Sequence, residues 1–123
     1  MATLTLPRLK KKLQILVNAY VRKRDEGKPC ISCGRHEPLE AGHYYPVKGY
    51  DGLRFDLDNI HGECARCNRF DDAHLIGYTK NIEQRIGEDA RFALGCKAHD
   101  YKLSGYKWSR PELIEMIEDF KNK

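Results

Sequence analysis

Four cysteines, and four polar residues set among and beside them, are the part of this sequence equipped for chemistry. Cys30 and Cys33 make one C-x-x-C pair, and Cys64 and Cys67 a second. His43, Asn59 and His61 lie between the pairs, and Asn68 directly follows the last cysteine. Two thiols with two residues between them can face one ion from a tight knuckle, and four such sulfurs form the closed tetrahedral site of structural Zn²⁺. The gap between the pairs is 30 residues, longer than the roughly 15–20 of a simple zinc ribbon. Closing the metal site therefore closes a loop large enough to carry a function.

Disulfides are the competing use of the same thiols. A disulfide within C-x-x-C is usually a redox device, and neither pair sits in a thioredoxin-like βαβ pattern. The opening MATLTLPRLKKK has no apolar run behind its charges, so a secretory leader is not expected, and a reducing cytoplasm disfavours disulfides. Cys96, the fifth cysteine, reads as a small buried apolar residue.

The 123-residue length fits one domain, 1–123, with a modest core. A composition 41% hydrophobic and 33% charged is that of a soluble globular protein, and no apolar run approaches the ~20 residues of a membrane span. No membrane partner and no small-molecule organic cofactor are expected. Charge is unevenly placed. Residues 1–29 carry eight Lys and Arg against two acids, which leaves the remainder of this +4 chain slightly acidic. That asymmetry fits either one arm that meets polyanions or a merely solvated helix face.

The elements that must position the cysteine stretch divide into three segments. Residues 1–28 read as a basic amphipathic helix, with Thr5 as cap and Pro7 in the first turn. Its stripe is Leu9, Leu13, Leu16, Val17, Tyr20 and Val21. Lys11, Lys12 and Arg22 fall off the stripe and are candidate phosphate contacts. Residues 29–72 hold the cysteines, with short strands expected at 42–47 and 53–55 and a helix opening near Cys64 or Ala65. Arg54, beside the site, is expected to contact phosphate or pair with Asp56 or Asp58. Residues 73–123 read as helical. One helix runs from about His74 to Ile86, with Leu75, Ile76, Tyr78, Ile82 and Ile86 inward; Gly87 breaks it and a short helix spans 88–97. The last opens on a Ser109–Glu112 capping box with Pro111, and buries Leu113, Ile114, Ile117 and Phe120. Trp108 is expected to staple that helix to the core, and His36, His74 and His99 to lie on the surface.

His43, then Asn59, then a residue nine positions on at a helix start resembles the HNH motif of the ββα-metal or His-Me finger nucleases, in its zinc-stapled form. The final His is here Asn68, an H-N-N variant similar to that of phage endonuclease VII. Resemblance is wider to the phage recombination protein family NinG, also called Rap. It covers LPRLKKK, CISCGR, AGHYYPV, LRFDLDNIHGECARCN and KWSRPELIEMIEDFK, nearly the whole chain. It implies an α+β fold: a small ββα-metal core stapled by a four-cysteine zinc site and flanked by N- and C-terminal helices.

In such a site His43 would be the general base that takes a proton from water. Asn68 would be an oxygen ligand to a catalytic Mg²⁺ or Mn²⁺ on the scissile phosphate. The resemblance makes Asn59 the residue that holds the loop so His43 points correctly, and implies 5′-phosphate and 3′-hydroxyl products. His43 and Asn68 are thus expected across from each other, sharing one phosphate. Gly42 departs from the pattern, since a metal-ligating Asp or His usually stands there. His61 comes first to fill the gap, then Glu40, with Asp71 third.

The expected function is a metal-dependent, structure-selective DNA endonuclease acting on branched recombination intermediates such as Holliday junctions, working as a homodimer to make paired cuts. Its place would be the cytoplasm of a bacterial host, from a phage or prophage gene. The alternative is a non-catalytic zinc module that binds DNA or protein and carries a decayed HNH site. A site-specific homing or restriction nuclease would need a sequence-reading element that is not visible.

Overall fold

A computed structural model describes residues 4–71 and 73–123. The outer ends of the expected segments 1–28 and 29–72 lie outside the described residues.

Helix α1, Leu6–Arg24, begins where Thr5 Oγ1 accepts from the Arg8 amide and Pro7 occupies the first turn. Arg22, Lys23 and Arg24 close it, cations where the helix carbonyls leave negative partial charge. Leu9, Leu13, Val17 and Val21 recur at helical spacing and are buried. They meet Leu113 and Ile117 of helix α4, Arg110–Lys121, together with Phe55 and Ile60, in one apolar core. The Ser109–Glu112 capping box forms as expected. Trp108 packs edge-on against Phe55, with centroids 5.1 Å apart, and its Nε1 donates to the Asp51 carbonyl. Ile114, expected inside, is 45% exposed.

A second core belongs to α2, His74–Ile86, and α3, Glu88–Ser104: Tyr78, Ile82, Leu94 and Ala98 pack with Ile31 and Leu53. On α2, Leu75 and Ile76 are exposed rather than inward. α3 runs seven residues past the expected end at Lys97. Buried Ala98 and partly buried Tyr101 give it a reason to continue, and Gly105 in the left-handed region stops it. Cys96 is exposed, not a core residue.

Between these two helical pairs lies a two-stranded antiparallel hairpin, β1 Leu39–His43 and β2 Ile60–Cys64, in which Glu40 opposes Glu63 and Gly42 opposes His61. The fold is α+β and mostly helical. Both strand expectations shift. Tyr44 and Tyr45 read as strand but leave β1 to pack on Tyr78 and Tyr50. The expected strand 53–55 is instead the end of a 3₁₀ turn, Asp51–Leu53, and the turn that follows it. β2, not expected as a strand, alternates His61 and Glu63 with Ile60, Gly62 and Cys64, yet both of its faces are buried.

One ionic clamp ties α1 to β2. The Asp25 carboxylate, 1% exposed, accepts from Arg24 Nε at 2.8 Å, Arg24 Nη2 at 3.0 Å and the Gly62 amide at 2.8 Å. Arg24 also donates to the Leu57 and Ile60 carbonyls. Burial works against the carboxylate, but the Arg24 and Gly62 donors win and hold it down to about 2. A carboxyl held below its unfolded value stabilises the fold above that value and loses the contribution as pH falls. Asp25→Asn should therefore cost about 2 kcal/mol near neutrality. The penalty should shrink between about pH 5 and 2, as read by urea denaturation of both proteins across pH.

Candidate metal and phosphodiester site

Cys30 and Cys33 stand on the knuckle after α1, Cys64 ends β2, and Cys67 lies in the π-helical turn Arg66–Phe70. Their four sulfurs lie within 4.8 Å of one another, and the Cys33–Cys64 separation is 3.8 Å. A ZnS₄ tetrahedron with bonds of about 2.3 Å requires sulfurs roughly 3.8 Å apart. The four cysteines could therefore hold a structural metal such as zinc, and no pair among them is a disulfide. Burial raises the Cys30 thiol, but the amides of Cys33, Cys64 and Ser32 outweigh it and bring it down. Burial and the neighbouring sulfurs push Cys67 far up. Four thiolates this close need a cation.

His43 ends β1 half-buried, with Nε2 2.9 Å from the Arg54 carbonyl. A carbonyl only accepts, so Nε2 carries the proton and Nδ1 keeps its lone pair. Burial and the Arg54 charge hold the imidazole below its usual range against the pull of that carbonyl. Asn59, fully buried, fixes the loop that presents the carbonyl. Its Oδ1 accepts from the Tyr45 amide at 2.8 Å, and its Nδ2 donates to the carbonyls of Tyr45 and Leu53. The Arg54 side chain turns away to Gln14 Oε1 at 2.8 Å and lies 3.9 Å from Asp51. It does not pair with Asp56 or Asp58.

Asn68 occupies the same π-helical turn as Cys67. Its Nδ2 donates to Glu40 Oε1 at 2.9 Å, which leaves Oδ1 facing Gly42: a Cβ built there would lie 3.1 Å from it. The Asn68 amide and Arg69 hold Glu40 below the usual carboxylate range. Strand alternation sends His43 to the other side of β1 from Gly42. The expected face-to-face arrangement of His43 and Asn68 is thus replaced by one in which they flank the last residues of the strand.

Among the candidates for the Gly42 gap, only Glu40 reaches Asn68. His61 is 3% exposed, with Nδ1 3.2 Å from Arg24 and Nε2 2.9 Å from the Asp58 carbonyl. Both ring nitrogens are occupied, so it belongs to the α1 clamp. Asp71 accepts from the Ala73 amide at the head of α2. His74 is no surface histidine: its Nδ1 lies 2.7 Å from Glu63. The sequence reading missed that buried glutamate. Lys11, Lys12 and Arg22 are exposed, and among the described residues none of them joins an ion pair.

A family model described as "Bacteriophage Lambda NinG protein" matches residues 2–123. This chain belongs to the NinG family. It is 33% identical over 116 residues to "Protein ninG" of Escherichia phage lambda and 42% identical over 116 residues to that of Salmonella phage P22, each alignment covering 91% of this chain and 57% of the relative. The ninG protein of Escherichia phage 933W is 42% identical over 82 residues, 65% of this chain and 41% of that protein. The chain thus spans little more than half the length of the lambda and P22 relatives and less than half of the 933W one. No solved structure matches it. No helix among the described residues is long and apolar enough to cross a membrane.

Because thiolates bind metal and thiols do not, zinc should leave as pH falls. A chelating dye should report about one zinc per chain at neutral pH and progressive release on acidification, with Cys67→Ser lowering the zinc content at every pH.

Proposed function

We propose that this NinG-family chain is a metal-dependent DNA endonuclease acting on branched recombination intermediates such as Holliday junctions. The carrying observation is the tethered His43: Nε2 bound to the Arg54 carbonyl, the loop pinned by Asn59, and Nδ1 left as the available base. Held below its ordinary range, that imidazole is neutral near pH 7 and ready to take a proton from water. A phosphodiester lying across the end of β1 meets His43 on one side and Asn68 with Glu40 on the other. A Mg²⁺ or Mn²⁺ ion held there would stabilise charge on the phosphate. Asn68 and Glu40 offer the oxygens such hard ions prefer. Arg54 acts through its carbonyl, its guanidinium being held by Gln14 and Asp51.

The basic side of α1 fits the DNA backbone. Arg22 lies close enough to act on the Glu40 charge, while Lys11 and Lys12 are roughly 15 Å back along the helix. Contacts of this kind read shape rather than bases. Two incisions in a four-way junction call for a homodimer. That its relatives are phage proteins supports a reaction inside an infected bacterium.

A second reading, a zinc module that binds DNA or protein without cutting, draws support from Gly42 and from the placement of His43 and Asn68 on different sides of β1. His43→Ala separates the two. With Mg²⁺ or Mn²⁺, wild type should cut a four-way junction and the variant should cut at least about a hundredfold more slowly, with junction binding retained. Equal behaviour of the two proteins rejects the enzyme. The pH profile offers an independent check. Because burial lowers the base, the single-turnover rate should stay level on the acid side until below about 6.5, and fall only as His43 takes up its proton.

A further inference from the structure

The Glu63 carboxylate is the largest unexplained feature of the site. Its side chain is fully buried. One oxygen, Oε2, accepts from Ser32 Oγ at 2.5 Å and lies 2.7 Å from His74 Nδ1. The other, Oε1, is buried with no hydrogen-bond partner. Leaving a carboxylate oxygen dry and unpaired is costly, so such an atom calls for a ligand.

The orphan oxygen has a definite address. A Cβ built on Gly42 would lie 2.2 Å from Glu63 Oε1 and 3.1 Å from Asn68 Oδ1. The two oxygens therefore share the space that a side chain at position 42 would fill. Glu63 reaches it from β2, where it stands directly across from Glu40. Glu40 has the Arg69 guanidinium as counter-charge, at 3.0 Å from Oε1 and 2.5 Å from Oε2, whereas Glu63 Oε1 has no partner at all. Glu40 in turn holds the Asn68 amide by its Nδ2, which turns the amide oxygen toward Glu63. Glu40 and Asn68 are partly exposed, so the cluster opens to solvent on their side.

We infer that Glu63 Oε1 and Asn68 Oδ1, with Glu40 beside them, form a site for one hard divalent cation, in which Glu63 delivers from the second strand the ligand that Gly42 lacks on the first. Gly42 is then a requirement of the site rather than its loss: any side chain there collides with the carboxylate that replaces it. The inference rests on the metal-dependent reading above and gives it a ligand set.

The test is Mn²⁺ binding by the zinc-loaded full chain, followed through the electron paramagnetic resonance signal of free Mn²⁺. Wild type should bind one Mn²⁺ per chain. Glu63→Leu, close in size but without oxygens, should weaken binding at least tenfold with zinc content and circular dichroism unchanged. Glu63→Gln, which keeps an oxygen without the charge, should fall between. Should Glu63→Leu fail to fold, the double variant Gly42→Asp with Glu63→Gly decides: it removes the Glu63 Cβ, which would lie 2.9 Å from a Cβ at position 42, and returning the carboxylate to the first strand should restore Mn²⁺ binding. Wild-type affinity in Glu63→Leu, no Mn²⁺ bound by wild type, or no recovery in a folded double variant overturns the site. Mn²⁺ binding that depends on Glu63, in a protein that leaves junction DNA intact, upholds the site and rejects the endonuclease.

Discussion

Four sulfurs held within one small volume are the constraint on which the rest depends. A two-stranded hairpin is marginal alone in water, and here no third strand among the described residues supports it. The cysteines fasten the knuckle after α1 to the last residue of β2 and to the π-helical turn that follows. Each attachment has a geometric consequence. Cys64 fixes the end of the ladder at its pairing with Leu39, and Cys67 fixes the turn in which Asn68 is the next residue. An ion in that cluster therefore sets where the amide oxygen of Asn68 lies, although it touches neither Asn68 nor Gly42.

Two polar devices complete what the sulfurs begin. On one side of the hairpin, Arg24 and Asp25 bind the close of α1 to β2 by charge-assisted bonds and occupy His61 as well. On the other, Asn59 fixes the long connection between β1 and β2 by bonding Tyr45 at both amide and carbonyl and Leu53 at its carbonyl. Trp108 holds the same loop from outside through Asp51. That loop brings a backbone oxygen, that of Arg54, to His43 Nε2. Apolar packing makes two separate cores, and these polar clamps fix how the hairpin sits between them.

Local signals were strong where helices had to start and stop without help. Thr5 with Pro7, and Ser109 with Pro111 and Glu112, are caps that act within a single turn, so α1 and α4 were legible in outline. The two C-x-x-C pairs were legible for the same reason. β2 was not, because what buries its polar residues His61 and Glu63 lies largely elsewhere in the chain, at Arg24, Ser32 and His74. Tyr44 and Tyr45 misled in the opposite way, their β preference serving aromatic contacts in a loop. Glu63 left no trace of its own in the sequence; its burial and its closeness to Gly42 come from strand register and packing.

Helix α2 rests on the metal knuckle with no room between. A Cβ on Gly77 would lie 1.8 Å from the Ser32 carbonyl oxygen, inside its van der Waals surface. The next residue, Tyr78, donates to the Gly42 carbonyl at 2.7 Å. Backbone thus bears directly on backbone, without a cushion of side chains to absorb displacement. Any spreading of Cys30 and Cys33 is handed on undamped to α2, to the strand it grips, and to α3 packed behind. The carboxy-terminal half of the chain is in this sense a gauge of whether the sulfur cluster is filled.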